Sequence, residues 1–343
     1  MRLHFVSKYP GWWLLIPLLI CTLFLALSVG AYPLHPAKVA DVFRRVLFQG
    51  SQTDIDAVVL LSIRLPRVLF GALAGAGLAL GGVCMQTLFR NPLADPGLMG
   101  LSSGAALAAA AVTLFSSAAP TLLAHPLSMP LSAFIGGLAI TSLVYRISHQ
   151  SGKVRVDAML LMGIAMNALC GALIGLLLVM ADDAQLRNIT FWSFGSLGRA
   201  DLKSTALLGG IMLLPVWGIW RIRDAMNVLL IGEADAASMG VQVEKLKFCL
   251  VTLSCLMVGL VVAMAGLIGF VGLVIPHIAR ILFGVSHQSL VPSSVLLGAI
   301  FLPLVDIFCR TAVAPSELPI GMMTALLGTP FFIFLLLRTR SVA

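Results

Sequence analysis

The stretch GALAGAGLALGG, residues 71–82, contains only glycine, alanine and leucine. Its small residues recur at about one-turn spacing, so a helix built from it carries stripes without bulky side chains. In a lipid bilayer, such stripes allow helix backbones to approach each other closely. The stretch therefore predicts a transmembrane helix that packs inside a bundle, and a polytopic protein instead of a set of independent anchors.

The composition of the whole chain supports a membrane location. Of its 343 residues, 59% are hydrophobic and only 10% are charged, whereas a soluble domain has about 25% charged residues. The formal net charge of +8 would suggest a nucleic-acid partner in a soluble protein. In a membrane protein, Lys and Arg gather in cytoplasmic loops, and we therefore expect contact with membrane lipid and no nucleic-acid partner.

Apolar segments long enough to cross a bilayer recur about ten times along the chain. They predict an all-α membrane protein with a single domain, residues 1–343. The first segment is too long for a cleaved signal peptide, and the distribution of Lys and Arg favours cytoplasmic N- and C-termini. The predicted spans are residues 11–31, 67–88, 99–117, 121–145, 157–181, 203–220, 247–265, 268–283, 290–310 and 319–337.

The longest predicted cytoplasmic loop is RIRDAMNVLLIGEADAASMGVQVEKLK, residues 221–247. It predicts a short helix, a glycine break and a second short helix that ends at Gly240. Such a structured loop fits contact with a soluble motor subunit, although an ordinary interfacial helix is the alternative. The only Gly-Lys pair, in SGKV (151–154), lacks the spacing of a nucleotide-binding loop. We therefore expect a non-enzymatic chain whose ATP chemistry belongs to a partner.

Three arginines are predicted at the outer ends of spans, against the usual charge bias. Arg64 and Arg67 precede the second span, and Arg310 ends the ninth. Exposed guanidinium groups there could dock an acidic partner or anchor lipid headgroups. Asp306 lies four residues before Arg310, and we expect the two to pair on one helix and to neutralise each other.

Span five carries Met159, Met162 and Met166 at helical spacing. Methionine side chains are soft and adaptable, so they could line a passage for a bulky, partly apolar ligand. Packing in the protein core is the alternative, and the sequence does not decide between the two.

A proline and a histidine follow an apolar run in GFVGLVIPHIAR, residues 269–280. His277 could be a catalytic residue or a metal ligand, or Pro276 and His277 could mark a helix break at the membrane surface. Because the histidines are scattered along the chain, we expect neither a catalytic residue nor a metal site. They are His4, His35, His125, His149, His277 and His287.

Six motifs in order resemble the permease subunits of binding-protein-dependent ABC importers for iron-siderophores, haem and cobalamin. The resemblance runs from about residue 60 to the C-terminus. The motifs are RLPR (64–67), RNPLADPGLMG (90–100), FWSFGSLGR (191–199), GEADAASMG (232–240), GFVGLVIPHIAR (269–280) and ELPIGMMTALLGTPFFIFLLL (317–337).

The resemblance implies a ten-helix permease in the bacterial inner membrane. It implies a dimer with a second permease copy on two ATPase subunits, and a periplasmic or lipid-anchored binding protein. It further implies that Arg64, Arg67 and Arg310 dock the binding protein. ATPase coupling would involve Leu230, Gly232, Glu233, Ala236, Met239 and Gly240.

The same resemblance implies a passage at the permease dimer interface, lined by span five. Its narrow cytoplasmic end would lie near Val156 and Asp157. Pro276 and His277 would have a structural role, with transient contact of His277 with a haem iron or the ATPase as the alternative. The segment PGLMGLSSGAA (96–106) is most similar to haem and cobalamin permeases, which makes haem the first choice of cargo and an iron-siderophore or cobalamin the alternative. No permanently bound cofactor is implied.

Two other classes compete with this interpretation. A proton- or sodium-driven carrier would need isolated ionisable residues within the membrane, and the sequence offers only Asp306. A membrane-embedded enzyme would need clustered His, Asp, Glu or Ser residues on facing helices, and the sequence predicts no such cluster.

Overall fold

The computed structural model describes residues 11–30, 32, 34–49, 54–116, 125, 127–150 and 152–340. Within these ranges the chain forms thirteen helices and one β-hairpin, which confirms the predicted all-α class. A 3₁₀ turn, Gly11–Leu14, precedes the first helix, and another, Pro96–Met99, precedes the fourth.

The helices and strands follow one another along the chain in a simple order. They are α1 (Leu15–Ser28), α2 (Pro36–Gln49), α3 (Ile55–Leu88), α4 (Leu101–Phe115), α5 (Ser128–Ser148), β1 (His149–Gln150), β2 (Lys153–Val154), α6 (Val156–Met180), α7 (Asp183–Ser193), α8 (Leu202–Leu229), α9 (Glu233–Ser238), α10 (Val243–Ala265), α11 (Val271–Phe283), α12 (His287–Thr311) and α13 (Ile320–Arg340).

Ten of these helices correspond to the ten predicted spans. Seven described helices are long and apolar enough to cross a membrane, and α4, α11 and α13 are shorter apolar helices. Residues 31, 117, 121–124 and 126, which belong to three predicted spans, lie outside the described part of the chain. The second span is longer than predicted, because α3 begins at Ile55 and contains a π-helical turn, Val59–Arg64.

Helix α3 lies at the centre of the bundle, and its small residues explain why. A Cβ atom on Gly75 would lie 2.0 Å from the carbonyl oxygen of Gly298 on α12, and a Cβ on Gly298 would lie 2.3 Å from the oxygen of Gly75. The two backbones therefore touch, as the glycine-rich stretch predicted. Every residue of α3 from Gly77 to Leu88 is buried.

The short helices α4 and α11 begin inside the bundle. They have 15 and 13 residues, fewer than the ~20 that cross a bilayer. The turn before α4 packs on α6, since a Cβ on Gly163 would lie 1.8 Å from the Leu98 oxygen. Gly266, with φ +78°, ends α10 and opens the non-helical segment before α11. A Cβ atom on Gly266 would lie 2.2 Å from the carbonyl oxygen of Trp192, so protein packs closely against the start of this irregular segment.

The bundle has two ends that differ in structure. The arginine end contains Arg67, Arg310 and the segments 182–201 and 312–319. The knob end contains the β-hairpin and a projecting segment, residues 230–242, which we call the knob. The knob is shorter than the predicted loop 221–247, because α8 continues to Leu229 and α10 begins at Val243.

Candidate functional site

A guanidinium group held by two carboxylates dominates the arginine end. The Nη2 atom of Arg67 donates to Asp306 Oδ1 at 2.8 Å, and its Nη1 atom donates to Glu317 Oε1 at 2.8 Å. Only 3% of the Asp306 side chain is exposed, compared with 46% of the Glu317 side chain. The paired groups connect α3, α12 and the segment before α13. Arg310 Nε is 3.6 Å from Asp306 Oδ2, so the predicted pair is present, but Arg67 is the nearer partner.

The other two arginines are buried, so the prediction that they present exposed guanidinium groups is wrong. Arg64 Nη1 donates to the backbone oxygens of Leu27 at 2.7 Å and Ser28 at 2.8 Å, and Arg310 Nη2 donates to the oxygen of Ala26. These oxygens belong to the last turn of α1, where helical partners are missing. Arg64 is buried because α3 begins at Ile55, so the residue lies within the helix and not at its first turn.

A cavity of about 250 Å³ opens beside Arg67 at the arginine end. Glu317, Trp192 and the exposed Arg199 are among the residues that line it. The hydrogen bond from Arg67 lowers the pKa of Glu317 below its ordinary value. The cavity is therefore a recess in which a guanidinium group is covered by a half-exposed carboxylate of the same chain.

The knob consists of helix α9 between two glycines that have positive φ angles. Gly232 has φ +151° and Gly240 has φ +84°, conformations that other residues adopt only with strain. Ala236 is fully buried and attaches α9 to the bundle, whereas Met239 is 63% exposed. The predicted second short helix is present as α9, which ends at Ser238, two residues before Gly240. The predicted first short helix of the loop is the final part of α8.

The remaining predicted coupling residues differ in exposure. Leu230 is exposed, as is its neighbour Ile231, whereas the Glu233 carboxylate is 2.6 Å from the ammonium group of Lys247. The knob therefore presents apolar side chains outward and is fixed on its inner side by an ion pair.

The methionine face of α6 points into the protein. Met159 is fully buried, Met166 is 9% exposed and Met162 is partly buried. The prediction that these methionines line a passage is therefore wrong for Met159 and Met166, and core packing accounts for them. Their side of the helix packs against the turn before α4. At the start of the helix, Val156 is partly buried and Asp157 is exposed.

Pro276 does not end its helix, because α11 continues to Phe283. Proline lacks the N–H that would bond to Gly272, four residues earlier. The side-chain amide of the buried Gln86 is 3.5 Å from the Gly272 oxygen and donates to the Leu273 oxygen at 3.2 Å. Pro276 therefore leaves the Gly272 carbonyl without its helical donor, and Gln86 on α3 binds this part of α11 instead.

His277 is partly buried and follows Pro276 on the same helix. Its ring contacts Phe331 edge-on, with 6.1 Å between the ring centroids. The predicted helix break at Pro276 and His277 is absent, because α11 continues to Phe283, and the contact of His277 with an aromatic ring fits a structural role. In the described part of the chain, no group of three or more His, Cys, Asp or Glu residues could hold a metal ion.

His287 is a structural residue that sequence reasoning missed. It is fully buried, and its ring nitrogens lie 2.7 Å from Thr87 Oγ1 and 2.8 Å from Asn227 Oδ1. It thus joins α3, α8 and α12 at the knob end. No local signal predicts this contact, because the three residues are far apart in the sequence.

The chain matches the model of the FecCD transport family over residues 18–338. It is 45% identical over 298 residues to the hemin transport system permease protein HmuU of Yersinia pestis, covering 86% of this chain and 88% of that protein. It is 41% identical over 278 residues to the vitamin B12 import system permease protein BtuC of Salmonella arizonae, covering 81% of this chain and 82% of that protein.

A solved structure has the same fold. It is described as an inward-facing conformation of a metal-chelate type ABC transporter, and it is similar with a TM-score of 0.83 and 32% sequence identity. The match covers 96% of this chain and 100% of that one. The family resemblance inferred from the six motifs is therefore confirmed: this membrane protein belongs to the FecCD transport family.

Proposed function

We propose that this chain is the permease subunit of an ATP-driven, binding-protein-dependent importer, with haem as its cargo. The observation that carries the proposal is the knob, an apolar surface between two glycines at one end of a membrane bundle. A permease that only conducted its cargo would have no use for such a surface. The hemin permease among the relatives supports haem, and the vitamin B12 permease supports cobalamin as a second candidate.

We propose that two ATPase subunits bind the knob end, one to each permease copy. Leu230, Met239 and Gly240 form the contact, while Ala236 and Glu233 hold the knob in place. The termini then lie in the cytoplasm and the arginine end faces outward across the bacterial inner membrane, in agreement with the charge bias of the loops.

The outward-facing cavity would receive an acidic side chain of the binding protein. In this proposal Arg67 is the docking arginine, and the incoming carboxylate displaces the half-exposed Glu317. Arg64 and Arg310 support this site from inside, because they attach α1 to the helices that carry it. The exposed Arg199, which lines the cavity, adds positive charge there, which would steer an acidic partner toward the cavity.

A second permease copy would pack against the outer face of α6. This face is apolar, with Leu161 at 69% and Val179 at 85% exposure. Gly171 and Gly175 lie on the exposed side, and a Cβ atom added to either would meet nothing within 4 Å. Small residues at this spacing allow close helix contact in membranes. The passage would run along this interface and narrow near Val156 and Asp157.

Substitution of a glycine tests the dimer. Gly175→Leu should reduce the dimer fraction in crosslinking experiments in membranes, because the bulky side chain keeps the helices apart. Gly210→Leu is the matched control, since Gly210 also has open space beside it but lies on α8. Equal dimer fractions in the two variants would contradict the proposed interface.

Uptake into proteoliposomes tests the function as a whole. The permease would be reconstituted with the ATPase and binding-protein subunits encoded beside its gene, and haem, cobalamin and a ferric siderophore would be compared. We expect haem uptake only with ATP on the knob side. Uptake driven by an ion gradient without ATP would overturn the importer assignment. ATP-dependent uptake of another ligand in place of haem would overturn the assignment of haem as the cargo.

A further inference from the structure

A buried lysine lies where the knob meets the β-hairpin. Lys247, in the first turns of α10, is only 1% exposed. Its ammonium group donates to Glu233 Oε2 on α9 at 2.6 Å, to Glu244 Oε1 at 3.1 Å and to the backbone oxygen of Val154 at 3.0 Å. All three protons of the ammonium group therefore have acceptors, as a buried charge requires.

Glu244 holds Val154 through the other backbone polar group of that residue. Its Oε2 atom accepts a hydrogen bond from the Val154 backbone N–H at 2.9 Å. Lys247 and Glu244 thus hold both backbone polar groups of Val154, as a neighbouring β-strand would. The hairpin has only two strands, and these two side chains take the place of a third.

Val154, the residue held by Lys247 and Glu244, lies two residues before α6. Val154 pairs with His149 in the hairpin, and α6 begins two residues later, at Val156. The hydrogen bond from the Arg155 N–H to the Ser148 oxygen, at 3.0 Å, fixes the intervening residue to the end of α5. A shift of Val154 therefore shifts the first turn of α6.

An ion cluster is a costly way to hold a loop in place. Apolar packing would do so without the free energy needed to remove charges from water. What the cluster adds is a link between three separate segments through one ammonium group: the knob, the start of α10 and the hairpin. The link is short and directional, since each contact is a charge-assisted hydrogen bond.

We propose that Lys247 is a positioning residue that transmits movement of the knob to the start of α6. The proposal rests on the function proposed above, in which the knob binds the ATPase and the start of α6 forms the narrow end of the passage. Movement of the knob reaches Lys247 through Glu233, which is its contact on α9. Lys247 passes the movement to Val154 in the hairpin, and Glu244 holds Val154 in place beside Lys247. We call this chain of contacts the relay.

Removing the input alone gives the sharpest test. Glu233→Gln removes the charge that attaches the knob to Lys247, and it leaves the Lys247–Val154–Glu244 contacts intact. The matched control is Asp235→Asn, which removes the same charge from an exposed position on the same short helix. ATP hydrolysis and haem uptake would be measured on the same proteoliposomes, together with the amount of bound ATPase.

We expect Glu233→Gln to import about tenfold less haem for each ATP hydrolysed by the ATPase that is bound, the effect of losing one charge-assisted hydrogen bond. Asp235→Asn should have the wild-type ratio. Equal ratios in both variants would overturn the relay. If the wild-type complex fails to import haem with ATP, the proposed function fails instead, so the two failures are distinguishable.

Hydrogen exchange tests the relay without transport. In Lys247→Met, backbone amides of residues 149–158 and 230–242 should exchange faster together, because one group holds both segments. Lys245→Met, at an exposed lysine on the same helix, should change neither segment. Faster exchange of the hairpin alone would show that Lys247 only supports the hairpin, and would overturn the proposal.

Discussion

The two ends of the bundle use buried charge in different ways. At the arginine end, Arg67 and Asp306 join α3 to α12, both of which are long helices. At the knob end, Lys247 joins the start of α10 to two short segments, the knob and the β-hairpin. A pair between long helices fixes a framework, whereas a cluster between short segments connects parts that can move. The same chemistry thus supports stability at one end and, in our proposal, coupling at the other.

Among the variants that test this difference between the two ends, Arg67→Ala should have the largest effect on stability. It leaves the Asp306 carboxylate buried without its nearest partner, and breaking a buried pair costs about 3–5 kcal/mol. We expect a large drop in the thermal unfolding midpoint in detergent. Lys203→Ala, at an exposed residue of the same end, should leave the midpoint unchanged. A small effect of Arg67→Ala would show that the arginine end is not a rigid framework.

A smaller effect should follow from Arg64→Met. The long apolar side chain fills similar space but cannot donate to the last carbonyls of α1, and an unsatisfied buried polar group costs about 1–3 kcal/mol. Limited proteolysis should show α1 released before the rest of the bundle unfolds. Arg44→Met, on the exposed side of α2, is the control. Cooperative unfolding of the whole protein at a lower temperature would contradict this local role.

Gly240→Ala should strain the knob without unfolding the protein. A Cβ at this position meets nothing within 4 Å, so only the positive φ angle opposes it, at a cost of about 1 kcal/mol. We expect an almost unchanged unfolding midpoint and a weaker affinity for the ATPase, measured by titration in nanodiscs. Gly210→Ala, in an open helical position on α8, should not weaken ATPase binding. Equal affinities in both variants would argue against the knob as the contact.

Glu317→Gln should have the smallest effect on stability, since a half-exposed ion pair contributes at most about 1 kcal/mol. Because the folded-state pKa of Glu317 is lowered, its stabilising effect is present above about pH 4.3 and is lost as the pH falls through the folded-state value. The difference in unfolding midpoint between wild type and variant should therefore vanish in acid. A difference that persists in acid would contradict this role of the Glu317 charge.

The same variant tests the docking proposal. With the competing charge removed, Arg67 becomes more available, and the binding protein should bind more tightly at neutral pH. Surface plasmon resonance on nanodisc-held permease measures this affinity. Weaker binding to Glu317→Gln would show that Glu317 is part of the docking surface and not a competitor for Arg67.

Interactions between residues close in the chain were predictable, and those between distant ones were not. The pairing of Asp306 with Arg310 follows from their spacing on one helix. The stronger contact of Asp306 with Arg67 joins residues that are 239 positions apart, and no pattern in either segment predicts it. Likewise, the glycines of the knob indicate a structured loop, but the attachment of Glu233 to Lys247 depends on how α9, α10 and the hairpin meet.

By itself, the sequence determined the number of spans, the close packing around residues 71–82 and the position of the knob. These features depend on hydropathy and on the backbone freedom of glycine, which are local properties. Tertiary structure alone decided which face of α6 turns inward. That helix is apolar on all sides, so its hydrophobic pattern has no preferred direction. Packing of the Leu98 carbonyl against Gly163 selects the methionine face for the core and leaves Gly171 and Gly175 exposed.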